Sequence, residues 1–161
     1  MESSILIKEV VSKEDLKDFV HFPFKLYKSH PYWVGPIIKE ELETLNRKIN
    51  PVFQNANAYY FLAFKNEKIV GRIAVIINWI EVRELKKTKI RFGWFDVIDD
   101  INVTKKLLEK VVLIGREHKL NHIEGPVGFS NMDKAGILVE GFKELNTMIT
   151  LYNFPYYSEH L

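Results

Sequence analysis

Two runs rich in β-branched and aromatic residues lie almost back to back in this chain. They are Ala58–Lys65 (AYYFLAFK) and Lys68–Asn78 (KIVGRIAVIIN), with only Asn66-Glu67 between them. A two-residue link joins strands antiparallel, because a parallel crossover needs a dozen or more residues. The pair therefore reads as a β-hairpin, and a purely parallel sheet is disfavoured. Gly71 inside the second strand predicts a bulge or a close backbone approach.

The rest of the chain arranges itself around that hairpin. Ile5–Val11 reads as a strand. Ser12, with Asp15 three residues on, caps a helix carrying Leu16, Phe19 and Val20, which Pro23 should end or kink. Phe22–Trp33 is dense in rings (Phe22, Phe24, Tyr27, Tyr32, Trp33) and reads as a loop and short helix pinned to the core, or as one wall of a cleft. Gly35-Pro36 opens a second helix with Pro36 in its first turn and Ile37, Ile38, Leu42 and Leu45 as its apolar face. Asn50-Pro51 breaks it. Trp79–Leu85 reads as a helical turn and Lys89–Ile98 as a strand. Asn102 or Thr104 caps a helix over Val103–Lys119, apolar along Leu107, Leu108, Val111, Val112 and Ile114. A short strand at Asn121–Glu124 turns at Gly125-Pro126. Asn131–Val139 then reads as a helix ending at Gly141, Thr147–Tyr152 as a last strand, and Pro155 as the start of a further helix. The fold class expected is α/β (α+β), a central mixed, mostly antiparallel twisted sheet with helices on both faces.

With 161 residues, one domain burying roughly 70% of its unfolded surface is expected. The chain has no cysteine, which removes disulfide scaffolds, cysteine nucleophiles and thiolate zinc sites. The net charge of +2 is too small to indicate a nucleic-acid groove. The start Met1-Glu2-Ser3-Ser4 lacks the pattern of a signal peptide, and Ile73–Ile77, the longest apolar run, falls far short of a bilayer span. A cytoplasmic protein with no membrane or nucleic-acid partner is expected.

Motifs that carry chemistry are absent from the sequence. None of His21, His30, His118, His122 and His160 sits in an HExxH pattern. His118 and His122 are four apart, but Leu120-Asn121 reads as a helix end between them, so no metal site is expected. There is no GxSxG elbow and no phosphate-binding P-loop, and Gly125-Pro126-Val127-Gly128 is a turn rather than a dinucleotide loop. The basic run Arg83, Lys86, Lys87, Lys89, Arg91 is diluted by Glu81 and Glu84 and reads as a solvated loop.

The element order, with the hairpin Ala58–Asn78, the strand Lys89–Ile98, the helix Val103–Lys119 and the strand Asn121–Glu124, resembles the GNAT superfamily of acyl-CoA-dependent N-acyltransferases. Phe22-Pro23-Phe24-Lys25-Leu26-Tyr27, Pro31-Tyr32-Trp33-Val34 and Pro51-Val52-Phe53 resemble the opening of a group of longer, uncharacterised bacterial GNAT-like proteins. So do Gly71-Arg72-Ile73-Ala74, Phe92-Gly93-Trp94-Phe95, Glu124-Gly125-Pro126 and Tyr152-Asn153-Phe154-Pro155-Tyr156-Tyr157. The resemblance implies a GNAT-like domain over residues 1–161, truncated at its C-terminus, with transferase activity on an amine or other small-molecule substrate.

The resemblance also implies where acetyl-CoA or another acyl-CoA would bind: Val97, the start of the following helix at Asn102, Val103 and Thr104, and Asn131. Backbone amides at a helix N-terminus suit a pyrophosphate. The stretch Asp99–Thr104 has no glycine and carries two carboxylates, which repel an anion unless they point away. Glu124, or Asp96, is the candidate general base, and Tyr152, Tyr156 or Tyr157 the candidate proton donor to a leaving thiolate. Two functions are therefore expected: an acyltransferase domain, or a non-catalytic GNAT-fold module for association, as a homodimer or with a second GNAT-like half. The first requires an open cleft near Phe95 and Ile123 with free amides near Asn102; the second, a cleft filled by side chains.

Overall fold

The computed structural model describes residues 4–147 and 149–161. Its sheet has five strands in the order β1-β2-β3-β4-β5: β1 (Ile5–Glu9), β2 (Ala56–Lys65), β3 (Lys68–Asn78), β4 (Lys89–Val97) and β5 (His122–Glu124). The first four pair antiparallel, and β5 joins β4 in parallel. The β2–β3 link turns through Asn66 and Glu67, both at positive φ (51° and 62°), as a type I′ hairpin requires.

Side-chain alternation along β2 and β3 divides the core in two. Ile73, Val75 and Ile77 face α4 (Ile101–Glu117) and its Val103, Leu107 and Val111. Ala74 and Ile76 face α1 (Lys13–Leu26) through Phe19 and Val20, with Leu45 packed alongside. Gly71 meets both expectations at once. The β2–β3 register slips there, and a Cβ on it would come within 2.9 Å of Leu107 Cδ1.

Helix α1 begins at the expected cap: Ser12 accepts from the Asp15 amide, and the Asp15 carboxylate accepts from Ser12 N. It does not end at Pro23. Proline removes the amide that the Phe19 carbonyl would have accepted from, and Arg72 of β3 supplies the donor instead, Nη1 to Phe19 O at 2.8 Å. The backbone loss is thus made good from the sheet and the helix runs on to Leu26.

Other boundaries move for local reasons. Helix α2 spans Ile38–Thr44, so Pro36 precedes it rather than opening it. Helix α3 (Trp79–Arg83) follows β3, capped by Asn78. The cap of α4 is Asp100, not Asn102 or Thr104.

After β5 the expected helix over Asn131–Val139 does not form. Asp133 bends back to accept from Ser130 N, Gly136 takes a φ of +83°, and the Asn153 side chain holds both backbone groups of Leu138. Nor do the described residues of Thr147–Tyr152 form a strand. The Thr150 hydroxyl accepts from Thr147 N, and Asn146 Nδ2 donates to the carbonyls of Thr147 and Thr150. The chain finishes in the short helix α5, Tyr157–His160.

Candidate functional site

Strand β4 carries a bulge that decides what it can present. Arg72 faces Asp96 and Ala74 faces Gly93, so Trp94 and Phe95 together oppose Ile73, with Trp94 at a φ of +45°. A bulge breaks the ladder and re-aims side chains. The Phe92 carbonyl accepts from Val127 N and Gly93 lies against Val127; beyond them a gap opens between β4 and the chain after β5. Two different environments occupy that gap.

The first surrounds the end of β4. Tyr157 Oη accepts from Val97 N at 2.8 Å, and Tyr156 Oη donates to Val97 O at 2.7 Å. Both tyrosines come from α5 and its cap, so the chain's own side chains hold the backbone groups expected to face a cofactor. At the start of α4 the Asn102 amide donates to the Asp100 carboxylate, and the Val103 and Thr104 amides donate to the Asp100 carbonyl. Lys65 pairs with Asp100 at 2.8 Å. That hydrogen bond, with the Asn102 amide, holds the Asp100 carboxyl below the usual carboxylate range. The Thr104 hydroxyl meets His160 Nδ1 at 2.9 Å. These residues in this conformation do not fit a pyrophosphate, while the gap beside them stays open along a cavity that Phe95 helps to line. Asn131, also expected at the cofactor, accepts from Arg91 at 2.6 Å.

Linking the two environments is a buried polar relay. Arg72 binds Asp96 through Nε and Nη2, each at 2.7 Å. Asp96 accepts from Tyr27 Oη at 3.1 Å, and Tyr27 Oη lies 3.3 Å from Tyr157 Oη. Burial, with the nearby Asp96 charge, pushes both phenols well above their ordinary value. Tyr27 is stacked between Trp33 and Phe154, so the aromatic segment packs the core and walls the site as well.

The second environment is a cavity of about 240 Å³ over the bulge. Trp33, Glu41, Trp94, Ile137, Leu151 and Tyr152 line it, with the Arg72–Asp96 pair at its floor. Glu41 Oε2 accepts from Trp94 Nε1 at 2.7 Å. Tyr152 donates to the Phe142 carbonyl and meets His30 Nε2 at 3.1 Å. Burial raises its phenol. Glu124 lies outside this lining. It is exposed on β5 and bound to Lys89 and Arg91, with Lys89 lowering its pKa. The sequence reading did not single out Glu41, which sits in an ordinary-looking acidic helix, Ile38–Thr44. Among the described residues no group of three His, Cys, Asp or Glu could hold a metal ion, and no helix is long and apolar enough to cross a membrane.

No protein-family model matches the chain. Among solved structures it is similar to an aminoglycoside acetyltransferase from an uncultured soil metagenomic sample (TM-score 0.52, 17% identity, 77% of this chain and 78% of that one). It is also similar to a predicted acetyltransferase of Clostridium acetobutylicum crystallised with acetyl-CoA (TM-score 0.54, 16% identity, 74% and 79%). The fold is that of the GNAT acetyltransferases.

In sequence, the chain is 30% identical over 156 residues to Protein YghO of Escherichia coli K12, covering 97% of this chain and 40% of that protein. It is 29% identical over 150 residues to a bacterial ceramide synthase of Caulobacter vibrioides, covering 92% and 39%. The chain thus spans about two fifths of the length of these relatives.

Proposed function

We propose that this domain is the amine-binding part of an N-acyltransferase. The observation that carries the reading is the cavity over the β4 bulge, which stays open beside a carboxylate while the neighbouring cofactor slot is filled. The fold is shared with acetyltransferases, and one relative is named for the synthesis of ceramide, an amide. An amine must lose a proton before it attacks an acyl group, and Glu41 is the carboxylate placed to receive it. No step through CoA is assigned to this conformation, because Tyr156, Tyr157 and Asp100 hold the groups a CoA would need.

The test is incubation of the chain with acetyl-CoA and a panel of primary amines, read by mass spectrometry, beside a Tyr156→Phe/Tyr157→Phe variant. Amide product from the variant, with none above background from the unmodified chain, supports the reading. If neither yields amide, and neither binds an amine, the proposal fails.

The filled slot also favours a second reading, a non-catalytic module that associates through its sheet edge. All three residues of β5 are exposed, and a groove of about 480 Å³ runs between α4 and β5, lined by Val112, Leu120 and Ile123. Sedimentation of the chain, with and without Ile123→Lys, tests it: self-association abolished by the substitution supports this reading, and a monomer in both cases counts against association between copies.

A further inference from the structure

Two charged side chains of opposite sign line the cavity over the β4 bulge without pairing. Glu41 comes from α2 and Lys134 from the loop after β5. Both are half-buried, and neither has an opposite charge within 4.0 Å among the described residues. The other charged groups of the lining are committed. Arg72 and Asp96 bind each other, and the Asp133 carboxylate, next to Lys134 in the chain, turns back to accept from Ser130 N.

The backbone on either side of Lys134 is held. Asp133 N donates to Ser130 O, Ala135 pairs with Val127, and Gly136 N donates to Pro126 O at 2.8 Å. Val127 is the residue that Gly93 lies against, so these bonds tie the segment carrying Lys134 to β4. A half-buried ammonium has given up part of its hydration, and an anion on a ligand replaces it through a charge-assisted hydrogen bond. Lysine offers one point charge rather than the two-pronged donor set of arginine, and a carboxylate already stands beside it at Asp133. Both features favour a monoanion over a phosphate dianion, so the matching group is a carboxylate.

We infer that Lys134 is a specificity-determining residue that binds a carboxylate on the ligand, and that the acceptor is therefore an amino acid or another amine that carries a carboxylate. The amino end of that ligand rests on the amine-binding reading above. The carboxylate end is carried by Lys134 alone and is tested separately, without any acyl donor.

The experiment titrates ω-amino acids from β-alanine to ε-aminocaproate into the chain at neutral pH and low salt, each beside its uncharged carboxamide. Intrinsic fluorescence is the readout, since Trp33 and Trp94 line the cavity. At the best-fitting length the acid should bind about tenfold more tightly than its carboxamide, the scale of one charge-assisted hydrogen bond, and the advantage should shrink as salt rises. Lys134→Met keeps the apolar stem and removes the charge, and should bring the acid down to the affinity of the carboxamide. Lys134→Arg should restore the preference. Equal binding of acid and carboxamide by the unmodified chain, or a preference that survives in Lys134→Met, overturns the inference and leaves the amine reading in place. So does tighter binding of an aminoalkyl phosphate than of the amino acid of the same length. If the N-acetylated acid binds as well as the free amino acid, and only through Lys134, the carboxylate site is sustained and the amine reading falls.

Discussion

Around Val97 each backbone group facing the gap already has a partner, whereas around Trp94 a carboxylate and two indole rings face open volume. Both environments belong to one strand and one gap between β4 and the chain after β5. The first is self-complementary: tyrosine hydroxyls complete the amide and carbonyl of Val97, and Asp100 completes the first amides of α4. The second keeps polar capacity in reserve at Glu41. The difference teaches that one strand can present both a self-satisfied surface and an open one. Within the acetyltransferase fold, side chains decide which half of the gap is open.

The largest expected effect comes from the relay joining the two halves. Arg72→Ala would leave Asp96 buried without its cation and the Phe19 carbonyl without the donor that replaces the missing Pro23 amide. A loss of about 3–5 kcal/mol in unfolding free energy is expected, measured by urea denaturation. A loss below about 1 kcal/mol would mean the relay does not hold the two environments together.

Next comes Tyr157→Phe, which strands the buried Val97 amide. It should cost about 1–3 kcal/mol and speed hydrogen exchange at Val97. A loss below about 0.5 kcal/mol, with Val97 still protected, would mean that Tyr157 does not hold the closed half.

The pH response should divide the halves in the same way. Tyr156 and Tyr157 have raised pKa values, chiefly because burial disfavours the phenolate. Their contribution is full below the unfolded tyrosine value of about 10 and is lost as pH rises through the folded values. Alkaline titration should release α5, seen as phenolate absorbance appearing together with loss of Val97 protection. Asp100, and Asp15 at about 2 through its hydrogen bond from Lys8, run the other way. Their contribution is full above the unfolded aspartate value of about 3.9 and is lost as pH falls through the folded values. Asp100→Asn should flatten the acid limb and leave the alkaline limb in place.

The smallest effect is expected at Glu41→Gln, within about 0.5 kcal/mol of the parent in stability, because the Trp94 hydrogen bond is kept. A large loss would make Glu41 a structural group and remove it from the open half.

Much of the frame was legible in the sequence because it is local. The two-residue hairpin link, the Ser12–Asp15 cap and the bulge at Gly71 each rest on neighbours a few positions apart. The passage of α1 through Pro23 was not legible, since its remedy is a guanidinium 53 positions from Phe19. The segment after β5 misled for a related reason: its backbone is held by distant side chains such as Asn153 rather than by its own periodicity. Of the candidate site, the glycine-free, acidic character of Asp99–Thr104 was legible in the sequence. That Asp100 would be the cap, and that Tyr156 and Tyr157 would fold onto Val97, depends on tertiary contacts. Glu41 gave no signal, because its partner Trp94 is 53 positions away.

The most direct test of the closed slot is calorimetric titration of acetyl-CoA into the chain and into Tyr156→Phe/Tyr157→Phe. The account predicts no saturable binding by the unmodified chain and measurable binding once Val97 is released. Saturable micromolar binding by the unmodified chain, with Tyr156 and Tyr157 still protecting Val97, would contradict it.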